Sequence, residues 1–96
     1  MNETEPKVVM YSSRLCPFCL RARFLLKRKG VDYKEIFVDG NWELHEEMMQ
    51  KSGRRSVPQI FIEDHYVGGF DDMNALDRAG KLDPLLGLEA RMTPDS

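Results

Sequence analysis

The 96-residue chain holds two cysteines, Cys16 and Cys19, in the segment RLCPFC (14–19). Two thiols at this spacing can share a metal ion, close a permanent disulfide, or cycle between dithiol and disulfide. A zinc site asks for four ligands, and the only histidines, His45 and His65, do not form a close H-x₃₋₅-H pair, so no metal is expected. The first ten residues, MNETEPKVVM, lack a basic start followed by a long apolar run. No stretch approaches the roughly 18 apolar residues of a membrane span, so a cytoplasmic protein with no membrane partner is expected. In that reducing compartment a C-x-x-C pair stays largely reduced, which favours working chemistry over a permanent clip.

The elements that must position the pair follow from the surrounding pattern. KVVMY (7–11) is a short β-branched and apolar run suited to a buried strand, and SSRLCPFC breaks it. Pro17 suits a first helical turn, Ala22, Leu25 and Leu26 keep three-four spacing, and Gly30 offers a cap. Cys16 then falls at or just before the helix N-terminus and Cys19 within its first turn. A thiolate at that place accepts hydrogen bonds from free N–H groups, here Phe18 and Cys19, and faces the positive end of the helix dipole, with Arg14 and Arg21 close by. Such stabilisation adds little to attack, because nucleophilicity falls with basicity at a Brønsted slope of about 0.45. Its lasting benefit is a good leaving group when a second thiol resolves a mixed disulfide.

Downstream, VDYKEIFV (31–38) reads as a second strand and DGN (39–41) as a turn. A helix loaded early with Glu43, Glu46 and Glu47 follows, with Leu44, Met48 and Trp42 facing inward and Gly53 at its end. VPQIFI (57–62) and YVGG (66–69) are strands flanking an EDH turn. DDMNALDRAG (71–80) is a helix opened by an aspartate cap, and KLDPLLG adds a last short helix. The order β-α-β-α-β-β-α predicts an α/β fold with a four-stranded mixed sheet flanked by helices. A single domain over 1–96 is expected, ordered from about 7 to 87, with 88–96 as a loose tail.

Composition narrows the partners. Apolar residues make up 42% and charged residues 31%, as in ordinary globular domains. Residues 12–31 carry six cations and no acid, yet the other 76 residues carry 8 cations against 16 acids, so no nucleic-acid partner is expected.

Three separated motifs, CPFC (16–19), SVPQIFI (56–62) and GGFDD (68–72), make the chain resemble a dithiol glutaredoxin over about Lys7 to Gly87. The resemblance implies a thioredoxin-like fold, glutathione as reducing co-substrate, and glutathionylated or disulfide-bonded proteins as partners of a monomer. It implies that Cys16 attacks and Cys19 resolves. It also implies a glutathione groove built from Ser13, Pro17, Phe18, Val57, Pro58, Phe70, Asp71 and Asp72. By the same resemblance the peptide before Pro58 is cis and the Val57 backbone pairs with the cysteine of glutathione. The Asp71 and Asp72 N–H groups then hold its α-carboxylate, and the Asp72 side chain its ammonium.

The chain departs from the commoner pattern with Phe18 in place of tyrosine and Ser13 in place of lysine, leaving either Arg14 or no residue to supply that charge. His45 stands where relatives use arginine, lysine or glutamine on the glycine carboxylate, with Arg54 and Arg55 as nearby alternatives. Two other readings remain open at this point: a thioredoxin-like carrier reduced by a flavoprotein, and a dimer holding an iron–sulfur cluster between two Cys16 thiolates and two glutathiones.

Overall fold

A computed structural model describes residues 7–88. The elements run β1 (Val8–Ser12), α1 (Pro17–Lys29), β2 (Tyr33–Phe37), α2 (Trp42–Ser52), β3 (Gln59–Ile62), β4 (His65–Gly68), α3 (Phe70–Arg78) and α4 (Leu82–Leu85). They form a four-stranded sheet in the order β2-β1-β3-β4. β1 pairs parallel with β2, across the α1 crossover, and antiparallel with β3. The tight Glu63–Asp64 turn makes β3 and β4 antiparallel neighbours. This is the expected mixed sheet flanked by helices.

The two-residue period of β1 divides the core. Val8 and Met10 point to one face, where Ala22, Leu25 and Leu26 of α1, Met73 of α3 and Leu82 of α4 close over them. Val9 and Tyr11 point to the other, under Met48 and Leu44 of α2. Leu88, expected at the head of a loose tail, packs against the first cluster, and its N–H donates to the Asp83 carbonyl. The rest of that expected tail, 89–96, lies outside the described residues. Trp42 is a correction: expected inward, it is 67% exposed and leans on His45, because α2 reaches the sheet through Leu44, Met48 and Met49 instead. Among the described residues no helix is long and apolar enough to cross a membrane.

Helix boundaries follow local chemistry. The Asn41 side chain accepts the Leu44 N–H at 3.1 Å and starts α2, while Gly30 and Gly53 close α1 and α2 with φ of 73° and 75°. α3 begins earlier than expected. Its N-cap is Gly69, so Asp71 is not the cap; the carboxylate of Asp72, in the first turn, accepts the Gly69 N–H at 3.0 Å instead.

At the end of the sheet nearest α1, a polar cluster replaces apolar packing. Glu35 accepts the Ser12 hydroxyl at 2.5 Å and pairs with the Arg23 guanidinium at 2.7 Å, tying β1, β2 and α1 together. Both charged side chains are largely shielded, at 14% and 21% exposed. Removing one partner strands the others, so Glu35→Ala is expected to lower unfolding free energy by about 2 kcal/mol in urea titrations. A loss below about 0.5 kcal/mol, the range of neutral surface changes, would contradict the assigned role.

Candidate active site

Cys16 caps α1 with an extended backbone, φ −118° and ψ 117°. Its Sγ accepts the Cys19 N–H at 3.3 Å; of the two donors expected from the sequence, only Cys19 makes this bond. Sγ also lies 3.8 Å from the Val57 carbonyl oxygen. Pro17, at the first helical position, has no N–H to leave unpaired. Cys16 is half-buried, whereas Cys19 is fully buried one turn inward.

The two thiols therefore have different chemistry. Burial first, then the hydrogen bond and like charge of Cys16, push the Cys19 thiol up to about 12. A Ser13 backbone hydrogen bond and the positive charge of Arg23 oppose this without cancelling it. Cys19 is held as a neutral thiol beneath an accessible sulfur.

An open groove of about 240 Å³ adjoins Cys16 through Val57. It brings together six of the sequence-predicted residues: Phe18, Val57, Pro58, Phe70, Asp71 and Asp72. The Val57–Pro58 peptide is cis. Phe18 and Phe70 stack with centroids 6.4 Å apart and form one wall. Ser13 and Pro17 do not line the groove; the Ser13 hydroxyl accepts the Leu15 N–H at 3.4 Å and closes the local turn. Arg14 turns away as well. It pairs with Asp39 at 3.3 Å and lies over the Phe37 ring at 4.6 Å. His45 is likewise outside the groove, with Nε2 3.1 Å from the Arg55 carbonyl.

Two residues of the groove lining, Ser56 and Gln59, are not singled out by the sequence. Gln59 is almost completely buried; its amide donates to the Ser56 carbonyl at 2.9 Å and its oxygen accepts the Tyr66 hydroxyl at 2.5 Å, bracing the floor. A glutamine inside the apolar run VPQIFI was the available signal, since a buried amide must find partners. Arg54 lines the groove, 3.3 Å from Asp72 Oδ2. Gly68 has φ +115°, and a Cβ there would come within 2.9 Å of three Asp72 side-chain atoms, so glycine is required for that carboxylate to reach Gly69. The open first turn of α3 offers Asp71 and Asp72 N–H groups to an anion at the groove's end. Among the described residues no cluster of three or more histidine, cysteine or acidic side chains is placed to hold a metal ion.

The geometry is matched by three comparisons. The family model described as Glutaredoxin matches residues 8–67. The chain is 56% identical over 81 residues to a glutaredoxin of Pseudomonas aeruginosa, covering 84% of this chain and 96% of that protein. It is 52% identical over 79 residues to glutaredoxin 3 of Escherichia coli, covering 82% and 95%. The crystal structure of a buckwheat glutaredoxin–glutathione complex is similar with a TM-score of 0.79 and 30% identity, covering 85% of this chain and 77% of that one.

The raised Cys19 thiol sets a pH dependence. Between its ordinary 9.0 and about 12 the unfolded chain gives up this proton while the folded chain keeps it, so stability falls as pH rises through that window. Tyr11 and Tyr33, also raised by burial, act in the same direction above 10.0. Urea midpoints of the reduced protein are expected to decline from about pH 9, and Cys19→Ala to remove the decline below pH 10. An unchanged slope in that variant would contradict the burial of the thiol.

Proposed function

This chain belongs to the glutaredoxin family and is a thiol oxidoreductase with a thioredoxin-like fold, and from that premise we propose that it uses glutathione to reduce glutathionylated substrates and protein disulfides. The observation that carries the proposal is the pairing of an accessible Cys16 Sγ at an open helix end with a neutral, buried Cys19 one turn below.

In the proposed cycle the Cys16 thiolate attacks the glutathione sulfur of a mixed disulfide. A Cys16–glutathione disulfide forms and the substrate sulfur departs with the bonding pair, taking a proton from solvent. A second glutathione thiolate attacks the glutathione sulfur of that disulfide, forming oxidised glutathione and restoring the Cys16 thiolate. With a protein disulfide, Cys16 first bonds to one substrate sulfur and expels the other. Cys19 then attacks Cys16 Sγ, its proton passes to the departing substrate thiolate, and a Cys16–Cys19 disulfide remains. Two glutathione molecules reduce it. A neutral Cys19 suits this division of labour, because it attacks only when a bonded substrate holds the disulfide in place. The cycle fits a cytoplasmic setting, where a thiol pool supplies electrons.

The buckwheat relative's complex supports glutathione as the ligand, and we assign it to the groove beside Val57. The Val57 backbone pairs with its cysteine, and the N–H groups of Asp71 and Asp72 take its α-carboxylate. Among the cations near position 45, we assign the glycine carboxylate to Arg54, which lines the groove; His45 does not, and its Nε2 meets the Arg55 carbonyl. Arg54 would exchange its Asp72 contact for the ligand, freeing Asp72 for the ammonium.

Turnover of a glutathione mixed disulfide with glutathione as sole electron donor tests the assignment. Cys16→Ser is expected to abolish it and Cys19→Ser to keep much of it; equal activity in both would overturn the roles. Arg54→Ala is expected to raise KM about fivefold with kcat nearly unchanged, the effect of one lost charged contact worth about 1 kcal/mol. An unchanged KM would remove Arg54 from the site.

A further inference from the structure

A second groove, of about 210 Å³, lies between α1 and α3 and is lined by Arg21, Phe24, Leu25, Arg28, Phe70 and Asn74. Phe70 belongs to both grooves, and Arg21 lies 5.5 Å from the centroid of the Phe18 ring, so the two meet at the Phe18–Phe70 wall. The outer face of α1 is apolar and cationic together. Phe24 is 62% exposed and Leu20, one turn before it, 47%. Among the described residues no carboxylate pairs with Arg21, Lys27 or Arg28, whereas Arg23 and Lys29 on the same helix are each paired. An exposed aromatic beside unpaired guanidinium groups, continuous with a reaction centre, has the makeup of a recognition surface.

We propose that this face docks an acidic segment, bearing an apolar side chain, next to the disulfide of a protein substrate. The proposal rests on the assignment of Cys16 as the attacking thiol and names the partner chemistry of that site. The segment's apolar side chain covers Phe24 against the Leu25 floor, and its carboxylates meet Arg21 and Arg28. Three unpaired cations on a chain of net charge −2 suit a short acidic stretch better than a long polyanion such as a nucleic acid.

The test uses three glutathionylated substrates: cysteamine, a peptide flanking its cysteine with leucine and aspartates, and the same peptide with lysines for the aspartates. Wild type is expected to turn over the acidic peptide about tenfold more efficiently than the basic one, with the gap closing as salt is added. Arg28→Gln is expected to lose roughly threefold in kcat/KM on the acidic peptide alone. Phe24→Ala is expected to lose roughly fivefold on both peptides, and neither variant to change on glutathionylated cysteamine, which also shows that both fold. Equal wild-type rates on the two peptides, variants that slow all three substrates alike, or competition by oligothymidylate as strong as by an acidic peptide would overturn the docking face. A wild-type protein inert on glutathionylated cysteamine would overturn the function beneath it, and the docking proposal with it.

Discussion

A helix leaves its first N–H groups without partners, and one of them, on Cys19, donates to the sulfur of Cys16. Both properties that make the pair useful come from that position. The capping residue sits outside the helical hydrogen bonds and keeps its sulfur near the surface, while the third helical residue is already turned into the core. The same two amino acids moved together by one residue would no longer be divided in this way. The sheet holds the helix end in place: the α1 crossover joins two parallel strands, so the loop bearing Cys16 leaves β1 at the edge where the cis peptide of Val57 arrives at β3.

Packing and electrostatics are separated along α1. Ala22, Leu25 and Leu26 face the sheet and give the helix its hold on the core. The Ser12–Glu35–Arg23 cluster fixes the same helix from the side, and Lys29, bonded to Asp77 at 2.7 Å and Asp83 at 2.9 Å, fixes its far end to α3 and α4. With three such attachments, the helix end that bears Cys16 is held in register with the groove wall formed by Phe18 and Phe70. A site built from three separate segments, 16–19, 54–59 and 69–72, depends on that register.

The fold was largely legible in the sequence because its signals are local. Strand alternation, Pro17 after Cys16, Gly30 and Gly53 at helix ends, and a short hairpin each act within a few residues. The unequal cysteines were legible for the same reason. What escaped was decided by contacts between distant segments. Arg14 is close to Cys16 in sequence, but Asp39 and Phe37 draw it elsewhere. Trp42 satisfied a helical spacing and still faces outward, since α2 meets the sheet through a narrower stripe. Asp72 replaced Asp71 in starting α3 because Gly68 leaves room for its carboxylate, a matter of space that no propensity encodes. Gln59 gains its role only from its partners, Ser56 and Tyr66, which come from either side of it along the chain.

One oxygen, Asp72 Oδ2, receives both the Gly69 N–H and the Arg54 guanidinium, and it can do so only beside a residue without a side chain at 68. Positions 54, 68 and 72 are thus tied through one atom. A lineage that enlarged residue 68 would displace the carboxylate, and a displaced carboxylate would release both the helix start and the arginine at once. Drift at any one of these three sites is therefore constrained by the state of the other two, and their histories should be read jointly rather than column by column.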